Sequence, residues 1–259
     1  MAGQNSGIAR RGSMARSVAV VLWAAISCIV LSIPVFIVCA FSRPAAHAIG
    51  RLWLRCIVAA CGLRLSVSGA QRLDAERKYI FIANHQSQLD IPALFSVLPY
   101  RLTFIAKREL FLIPFFGWGL GALGHIAIDR SNARKARESF SRAVERLKRE
   151  DISLVLFPEG TRSSDGAVGP FKRGSFSLAL ESGLPVVPVA IDGTRTVLSK
   201  KGKRITPGYA RIRIGTPIDA AAEGISDKSV LAARVRQAII DMGLPQSVPA
   251  AETSADDGD

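Results

Sequence analysis

The stretch YIFIANHQSQLD, residues 79–90, decides the architecture of this chain and the chemistry to look for in it. It begins with a short apolar run typical of a buried strand, and it ends with His85 five residues before Asp90. Five residues of helix turn through about 500°, so the two side chains would diverge on one helix. They meet only if the chain turns between them, with Asp90 near the start of the next helix. A carboxylate that orients an imidazole is the minimal apparatus for taking a proton from an alcohol.

A purely structural interpretation of the same stretch stays open. Asp90 can cap the following helix, or form a capping box with Ser87, without any catalytic role. Two observations favour chemistry. Pro92 suits a first helical turn directly after Asp90, and of the three histidines in the chain only His85 has a carboxylate close by in such a turn.

Short β-type runs alternate with helical runs along the rest of the chain, which predicts an α/β domain with a mostly parallel or mixed sheet. The predicted strands are Leu63–Ser68, Tyr79–Ala83, Leu102–Ala106, His125–Asp129, Ser153–Phe157, Val186–Ile191 and Ala210–Ile214. The predicted helices of this domain are Ala133–Glu150, Gly174–Ser182 and Lys228–Met242. Pro188 lies inside the sixth strand and indicates an edge strand or a bend.

The N-terminal region is apolar enough to enter a membrane. Residues 17–42 form an uncharged segment that is long enough to cross a hydrocarbon core of about 30 Å. Residues 45–61 are predicted as a second helix. Positive charge flanks the first segment at both ends, so the positive-inside rule does not select an orientation. A helical hairpin that dips into one leaflet is favoured over a single span. A signal peptide cleaved after residue 48 is disfavoured, because the apolar region is longer than usual.

These features divide the 259-residue chain into four predicted segments. Residues 1–16 form a disordered basic N-terminus, and residues 17–61 form the membrane-anchoring hairpin or transmembrane segment. Residues 62–245 form the α/β domain, with its motifs between residues 79 and 192. Residues 246–259 form a disordered acidic tail.

The charge and cysteine content narrow the function classes. A formal net charge of +13 favours an anionic partner, namely acidic lipid, nucleic acid, or an acidic substrate or carrier. Nucleic acid is disfavoured, because an apolar anchor precedes the basic domain and no nucleic-acid motif occurs. All four cysteines lie within residues 28–61, so neither a disulfide framework, a metal cluster nor a cysteine nucleophile is predicted in the α/β domain.

A second polar cluster, FPEGTRS at residues 157–163, follows another predicted strand. Arg162 can form a bidentate hydrogen bond with phosphate oxygens, and Gly160 lets the backbone approach a ligand closely. Glu159 can accept from a hydroxyl or hold Arg162 in place, and a surface turn with an ion pair is the alternative. Lys107 at a strand end and Lys172 before a helix can supply further contacts to an anion.

Two other enzyme classes are disfavoured by the motifs. GLGALG at residues 119–124 fits the dinucleotide glycine pattern, but it neither follows a predicted strand nor opens a helix. The chain also contains no G-x-S-x-G elbow, which argues against a serine hydrolase.

Four blocks in order resemble the glycerophospholipid acyltransferase family, specifically the 1-acyl-glycerol-3-phosphate acyltransferases. The first, residues 84–90, is similar to the family's N-H-x4-D motif; the others are residues 107–117, 157–163 and 187–189. The resemblance covers about residues 65–215. It implies an α/β acyltransferase fold, a mixed sheet flanked by helices, and an acyl-CoA or acyl-carrier-protein donor, with no cofactor and no metal.

The resemblance also implies a reaction. His85 would act as the base on the 2-hydroxyl of 1-acyl-glycerol-3-phosphate, Asp90 would hold its tautomer, and phosphatidic acid would form without an acyl-enzyme. The acceptor's glycerol-phosphate would be bound by Glu159, Gly160, Thr161 and Arg162, with Lys107, Arg130 and Lys172 as further anion contacts. We expect the enzyme at the cytoplasmic face of the inner membrane. The rivals are the same chemistry on glycerol-3-phosphate or a lyso-aminolipid, and a non-catalytic basic membrane adaptor.

Overall fold

The protein is described by a computed structural model that covers residues 13–129 and 133–246. Residues 247–259 of the predicted acidic tail, and most of the predicted basic N-terminus, lie outside the described residues, whereas Gln246 forms an isolated bridge with Val168. The first helix begins at Met14, so Met14–Arg16 are helical where the sequence predicted disorder.

The described residues form one seven-stranded sheet, and each predicted strand is present with its ends shifted by no more than two residues. The strands are β1 (Leu63–Ser68), β2 (Ile80–Ala83), β3 (Leu102–Lys107), β4 (Ile126–Ile128), β5 (Ser153–Leu156), β6 (Val186–Asp192) and β7 (Gly208–Ile214). Their order is β1-β7-β6-β2-β5-β3-β4. All neighbours are parallel except β6 and β7, so the predicted mixed sheet is confirmed.

The sheet topology brings the motifs together. In the row β6-β2-β5-β3-β4 the strands run parallel, so their carboxyl ends share one edge of the sheet. β2 is the middle of the three strands β6, β2 and β5, and all four of its residues are completely buried. The segments that follow β2, β5 and β6 therefore meet at one place, which is where parallel sheets carry their sites.

The helices cover both faces of this sheet. They are α1 (Met14–Phe41), α2 (Arg43–Ala60), α3 (Asp90–Val97), α4 (Phe116–Ala122), α5 (Ala133–Arg149), α6 (Gly174–Ser182), α7 (Thr194–Val197) and α8 (Lys228–Asp241), with 3-10 turns at Ala70–Arg72 and Arg108–Leu112. Because side chains alternate along a strand, Phe81 packs into a core with α2 and α3. Ile80 and Ile82 pack into a second core with α5, α6 and α8.

The edge-strand interpretation of Pro188 is wrong, because β6 is a central strand between β7 and β2. The proline is tolerated there because the β6–β7 ladder is interrupted at this point. Val186 pairs with Ile218 in an isolated bridge, and regular pairing resumes only at Val189 opposite Ile214. The Pro188 carbonyl still accepts a hydrogen bond of 2.8 Å from the amide of Gly215.

Helices α1 and α2 form the predicted hairpin, joined at Ser42, and α1 continues through Pro34. Within the hairpin, the Trp53 indole donates to Ser27 Oγ at 2.9 Å. α1 is long and apolar enough to cross a membrane, with a mean hydropathy of 2.6 over its most apolar window and only 11% of that window buried. An extensive apolar surface on α1 therefore faces outward.

Both ends of this hairpin rest on the α/β domain. At the open end, Ser17 Oγ accepts from the amide of Ile205 at 2.8 Å. At the closed end, Arg43 forms an ion pair of 3.3 Å with Glu150, directly after α5. The hairpin thus lies along the domain and does not project from it.

Candidate active site

His85 and Asp90 meet as the turn between them predicted. β2 ends at Ala83, and the side chain of Asn84 clamps the backbone of Ile191 in β6 from both sides. Asn84 Nδ2 donates to the Ile191 carbonyl at 2.8 Å, and Asn84 Oδ1 accepts from the Ile191 amide at 2.7 Å. The chain then turns into α3, whose first residue is Asp90, and His85 Nδ1 lies 2.7 Å from Asp90 Oδ2.

The carboxylate of Asp90 is fully buried and surrounded by donors. Oδ2 also accepts from the backbone amides of Gln86 at 2.7 Å and Ser87 at 2.8 Å. Oδ1 accepts from the hydroxyl of Thr194, the first residue of α7, at 2.5 Å. A carboxylate held by four partners has one orientation, so it presents a fixed face to the imidazole.

The capping interpretation of Asp90 is partly correct. The contact from the Ser87 amide is half of a capping box. The other half is missing, because Ser87 Oγ accepts from the Leu89 amide and donates to the Leu198 carbonyl. The cap and the contact with His85 coexist in the same carboxylate.

His85 itself is held on three sides. Its amide donates to Glu159 Oε1 at 3.2 Å, and its carbonyl accepts from the Ser163 amide at 2.7 Å. Its ring stacks on Phe157, with centroids 4.3 Å apart and an interplanar angle of 27°. The side chain of His85 is 18% exposed, whereas that of Asp90 is completely buried. With Nδ1 directed at the carboxylate, Nε2 is the ring nitrogen left to accept a proton.

Glu159 is buried beneath this histidine, and burial raises the pKa of its carboxyl to about 7. The hydrogen bond from the His85 amide opposes that rise, and the negative charge of Asp90 adds to it. The interpretation in which Glu159 holds Arg162 is wrong for the described residues, since Glu159 is bonded to the His85 backbone instead. Its contact supports the histidine loop.

The turn after Glu159 carries the predicted cations. Gly160 has a positive φ of 70°, and a Cβ there would lie 2.9 Å from Lys172 Nζ, so the ammonium sits against the turn. The Lys172 amide donates to the Pro158 carbonyl at 2.9 Å, which sets this position. Arg162 is half-buried and makes no ion pair with any residue in the described ranges. We use the name cationic rim for the two cations Arg162 and Lys172 together with the neighbouring Thr161.

The remaining predicted contacts lie further away or outside the described residues. Lys107 is exposed at the carboxyl end of β3, which shares the edge of the sheet with β2 but is separated from it by β5. Arg130 lies outside the described residues. Among residues 13–129 and 133–246, no three His, Cys, Asp or Glu side chains are grouped to hold a metal ion.

An apolar cavity of about 310 Å³ reaches the same loop. Its lining residues come mainly from α1, α2, α3, α4 and β3. Gln88, inside the segment of residues 84–90, and Ile91, directly after it, both line the cavity. An apolar chamber thus lies beside a polar site that is arranged for proton transfer.

Three contacts of this site were missed by sequence reasoning: the Asn84 clamp, the stacking of Phe157, and the hydroxyl of Thr194. Asn84 and Phe157 lie inside the motifs that were singled out, but no role was assigned to them. Thr194 follows β6 after Gly193, and only the pairing of β6 with β2 shows that this threonine reaches Asp90.

Comparison with known proteins agrees with this geometry. A family model described as Acyltransferase matches residues 64–192. The human 1-acyl-sn-glycerol-3-phosphate acyltransferase alpha is 35% identical over 190 residues, which cover 73% of this chain and 67% of that protein. The 1-acyl-sn-glycerol-3-phosphate acyltransferase of Saccharomyces cerevisiae is 37% identical over 184 residues, covering 70% and 60% respectively.

A solved structure extends the likeness to the whole fold. The crystal structure of the 1-acyl-sn-glycerophosphate (LPA) acyltransferase PlsC from Thermotoga maritima superposes with a TM-score of 0.75 at 26% identity. The match covers 91% of this chain and 98% of that one. The chain therefore belongs to the 1-acyl-sn-glycerol-3-phosphate acyltransferase family.

Proposed function

We propose that this chain transfers a fatty acyl group to the 2-hydroxyl of 1-acyl-glycerol-3-phosphate and so forms phosphatidic acid. The donor is a thioester of coenzyme A or of acyl carrier protein. The observation that carries the proposal is the 2.7 Å contact between His85 Nδ1 and the buried carboxylate of Asp90. The names of the relatives support the choice of acceptor.

The reaction follows from this pair. Nε2 of His85 takes the proton of the acceptor hydroxyl as its oxygen attacks the thioester carbonyl, and Asp90 stabilises the imidazolium that forms. The new C–O bond gives a tetrahedral oxyanion. Its collapse breaks the C–S bond, and the imidazolium returns the proton to the departing thiolate. The hydroxyl of the substrate takes the place of a serine nucleophile.

The cationic rim binds the acceptor's phosphate. Arg162 has no ion pair within the described residues, and Lys172 lies against the same turn, so both are available to a dianionic group. Thr161 and the backbone at Gly160 contact the glycerol-phosphate, and Lys107, at the end of β3 on the far side of β5, is a more distant anion contact. Glu159 acts mainly as a positioning residue, because it accepts the amide of His85.

The apolar cavity holds an acyl chain. It lies next to the catalytic loop, residues 84–90, and most of its lining is apolar. Burial of an acyl chain in such a cavity removes its hydrocarbon from water and stabilises the complex by about 0.8 kcal/mol for each methylene group. This favours a lipid over a water-soluble ligand.

The hairpin supports a site that works at a membrane surface. The outward side of α1 carries a row of exposed apolar residues, among them Val21, Ile26, Val30, Ile33 and Phe36, which need a lipid environment. Both ends of the hairpin are bonded to the α/β domain, and this favours a hairpin that lies in one leaflet over a helix that spans the bilayer. The domain then lies on one side, at the cytoplasmic face.

The test is acyl transfer in detergent micelles from labelled acyl-CoA to 1-acyl-glycerol-3-phosphate, with wild type and His85→Ala side by side. Loss of a general base lowers kcat by about 10²–10⁴-fold. Acyl carrier protein is the alternative donor; glycerol-3-phosphate, a lyso-aminolipid and 1-acyl-glycerol without phosphate are the alternative acceptors. Equal rates for wild type and His85→Ala would refute the role of His85. A wild type that turns over no acceptor with either donor would instead favour the non-catalytic membrane adaptor.

A further inference from the structure

The apolar cavity has a polar end far from the catalytic loop. Near that loop it is lined by Gln88 and Ile91, and further along α3 by Phe95. From Asp90 to Phe95 the helix rises about 8 Å. There the lining includes His125, which immediately precedes β4 and so lies toward the amino edge of the sheet, opposite the catalytic edge.

His125 is a buried residue whose side chain has one polar atom, Nδ1, without a partner among the described residues. The exposed fraction of His125 is 9%. The ring is packed against two aromatic side chains, with centroids 4.2 Å from Phe104 and 5.8 Å from Phe95. Buried polar atoms are nearly always hydrogen-bonded, so Nδ1 of His125 can take a polar partner that enters the cavity.

The surroundings of His125 select the kind of ligand. Burial lowers the pKa of His125 to about 3, so its imidazole is neutral and has one donor and one acceptor nitrogen. A second imidazole, that of His47 on α2, lines the same cavity. Arg51 is the one arginine among the described lining residues of the cavity, and it donates to the Tyr100 carbonyl. Arg146, whose charge also acts on His125, donates to the Gly124 carbonyl at 2.8 Å and pairs with Glu150. A neutral group that both donates and accepts suits this end better than a carboxylate does.

We propose that His125 and His47 form a binding site for a hydroxyl group carried by an acyl chain, several bonds beyond its carbonyl. A hydroxyl is both donor and acceptor, and it can satisfy a neutral imidazole without bringing charge into the cavity. The proposal rests on the proposed function, since the cavity must receive an acyl chain. That chain comes either from the donor thioester or from the 1-position of the acceptor.

The experiment compares hexadecanoyl-CoA with hexadecanoyl-CoA that bears a hydroxyl near the carbonyl, at mid-chain, or at the terminal carbon. In a second arm the donor is unsubstituted hexadecanoyl-CoA, and the unsubstituted and hydroxylated hexadecanoyl chains are placed on the 1-position of the acceptor. The quantity measured is the ratio of kcat/KM for hydroxylated and plain chains in direct competition. A ratio does not depend on the fraction of enzyme that is folded, which keeps the comparison between variants valid.

We expect wild type to favour a mid-chain or terminal hydroxyl by about tenfold, equivalent to about 1.4 kcal/mol, in one of the two arms. A hydroxyl near the carbonyl should give no such gain. His125→Leu should abolish the preference and His125→Gln should keep part of it, because glutamine retains a donor and an acceptor.

Two results would overturn the proposal: a wild type without preference in either arm, or a preference that survives in both His125→Leu and His47→Leu. If wild type fails to transfer even the plain chain to the plain acceptor, the proposed function fails first, so the two failures are distinguishable.

Discussion

The hydroxyl of Thr194 donates a 2.5 Å hydrogen bond to Oδ1 of Asp90, and so ties the end of β6 to the carboxylate that orients His85. Both residues are completely buried. Oδ1 is the oxygen that does not touch the imidazole, and this bond holds it in place while the other three partners hold Oδ2. We therefore regard Thr194 as a positioning residue.

Replacement of Thr194 by valine should lower kcat by about tenfold to a hundredfold. Loss of the hydroxyl leaves a buried carboxylate oxygen without its donor, which costs about 1–3 kcal/mol and lets the carboxylate rotate. KM for both substrates should change little, because the residue does not face them. Steady-state kinetics on Thr194→Val and Thr194→Ser checks this. Serine keeps the hydroxyl and should restore most of kcat; equal losses in the two variants would show that the methyl packing matters instead.

The stability of the protein should depend on the ionisation of Glu159. Its pKa is raised to about 7 in the folded state, against about 4.3 in an unfolded chain. The folded state therefore binds the proton more tightly, and the stabilisation is present at low pH and lost as pH rises toward about 7. Glu159→Gln cannot ionise, but it retains an oxygen that can accept the His85 amide. Its melting temperature relative to wild type should rise between about pH 5 and about pH 8. If the melting temperatures of Glu159→Gln and wild type differ by the same amount at every pH in that range, the raised pKa is contradicted.

Arg162 should matter only for an acceptor that carries a phosphate. Arg162→Ala should raise KM for 1-acyl-glycerol-3-phosphate by about tenfold or more, because a charge-assisted hydrogen bond contributes about 1.5–3 kcal/mol. Turnover of 1-acyl-glycerol should be unaffected. Arg162→Lys should recover part of the loss, since lysine keeps the charge but not the planar fork. The control for net charge is Lys201→Ala, an exposed lysine outside the site. An equal rise in KM for both acceptors would argue against phosphate binding.

The closed end of the hairpin should lie on the same side of the membrane as the α/β domain. Arg43, next to the Ser42 connection, is paired with Glu150 of that domain. In a protein whose four cysteines are replaced by alanine, we would introduce Ser42→Cys or, as the domain marker, Ser199→Cys. A membrane-impermeant maleimide should label both from the same side of sealed vesicles. Labelling from opposite sides would establish a spanning helix.

Local patterns predicted most of the elements correctly. The seven strands were recognised because each is a short apolar or alternating run bounded by polar residues, and these properties belong to the run itself. Helix α6 was predicted with its observed ends, and α5 and α8 within one residue at their carboxyl ends. The position of Pro188 was misjudged, since a local rule about proline does not reveal where a neighbouring ladder is interrupted.

The sequence by itself determined the reactive pair. His85 and Asp90 are five residues apart, and the strand, turn and helix start that bring them together are all encoded within residues 79–90. Only the tertiary structure decided what surrounds them: the hydroxyl of Thr194, 104 residues from Asp90, and the carboxylate of Glu159, 74 residues from His85. Strand order brings these groups to one edge of the sheet. It depends on how the strands pair across the whole domain, and no short window of sequence contains that information.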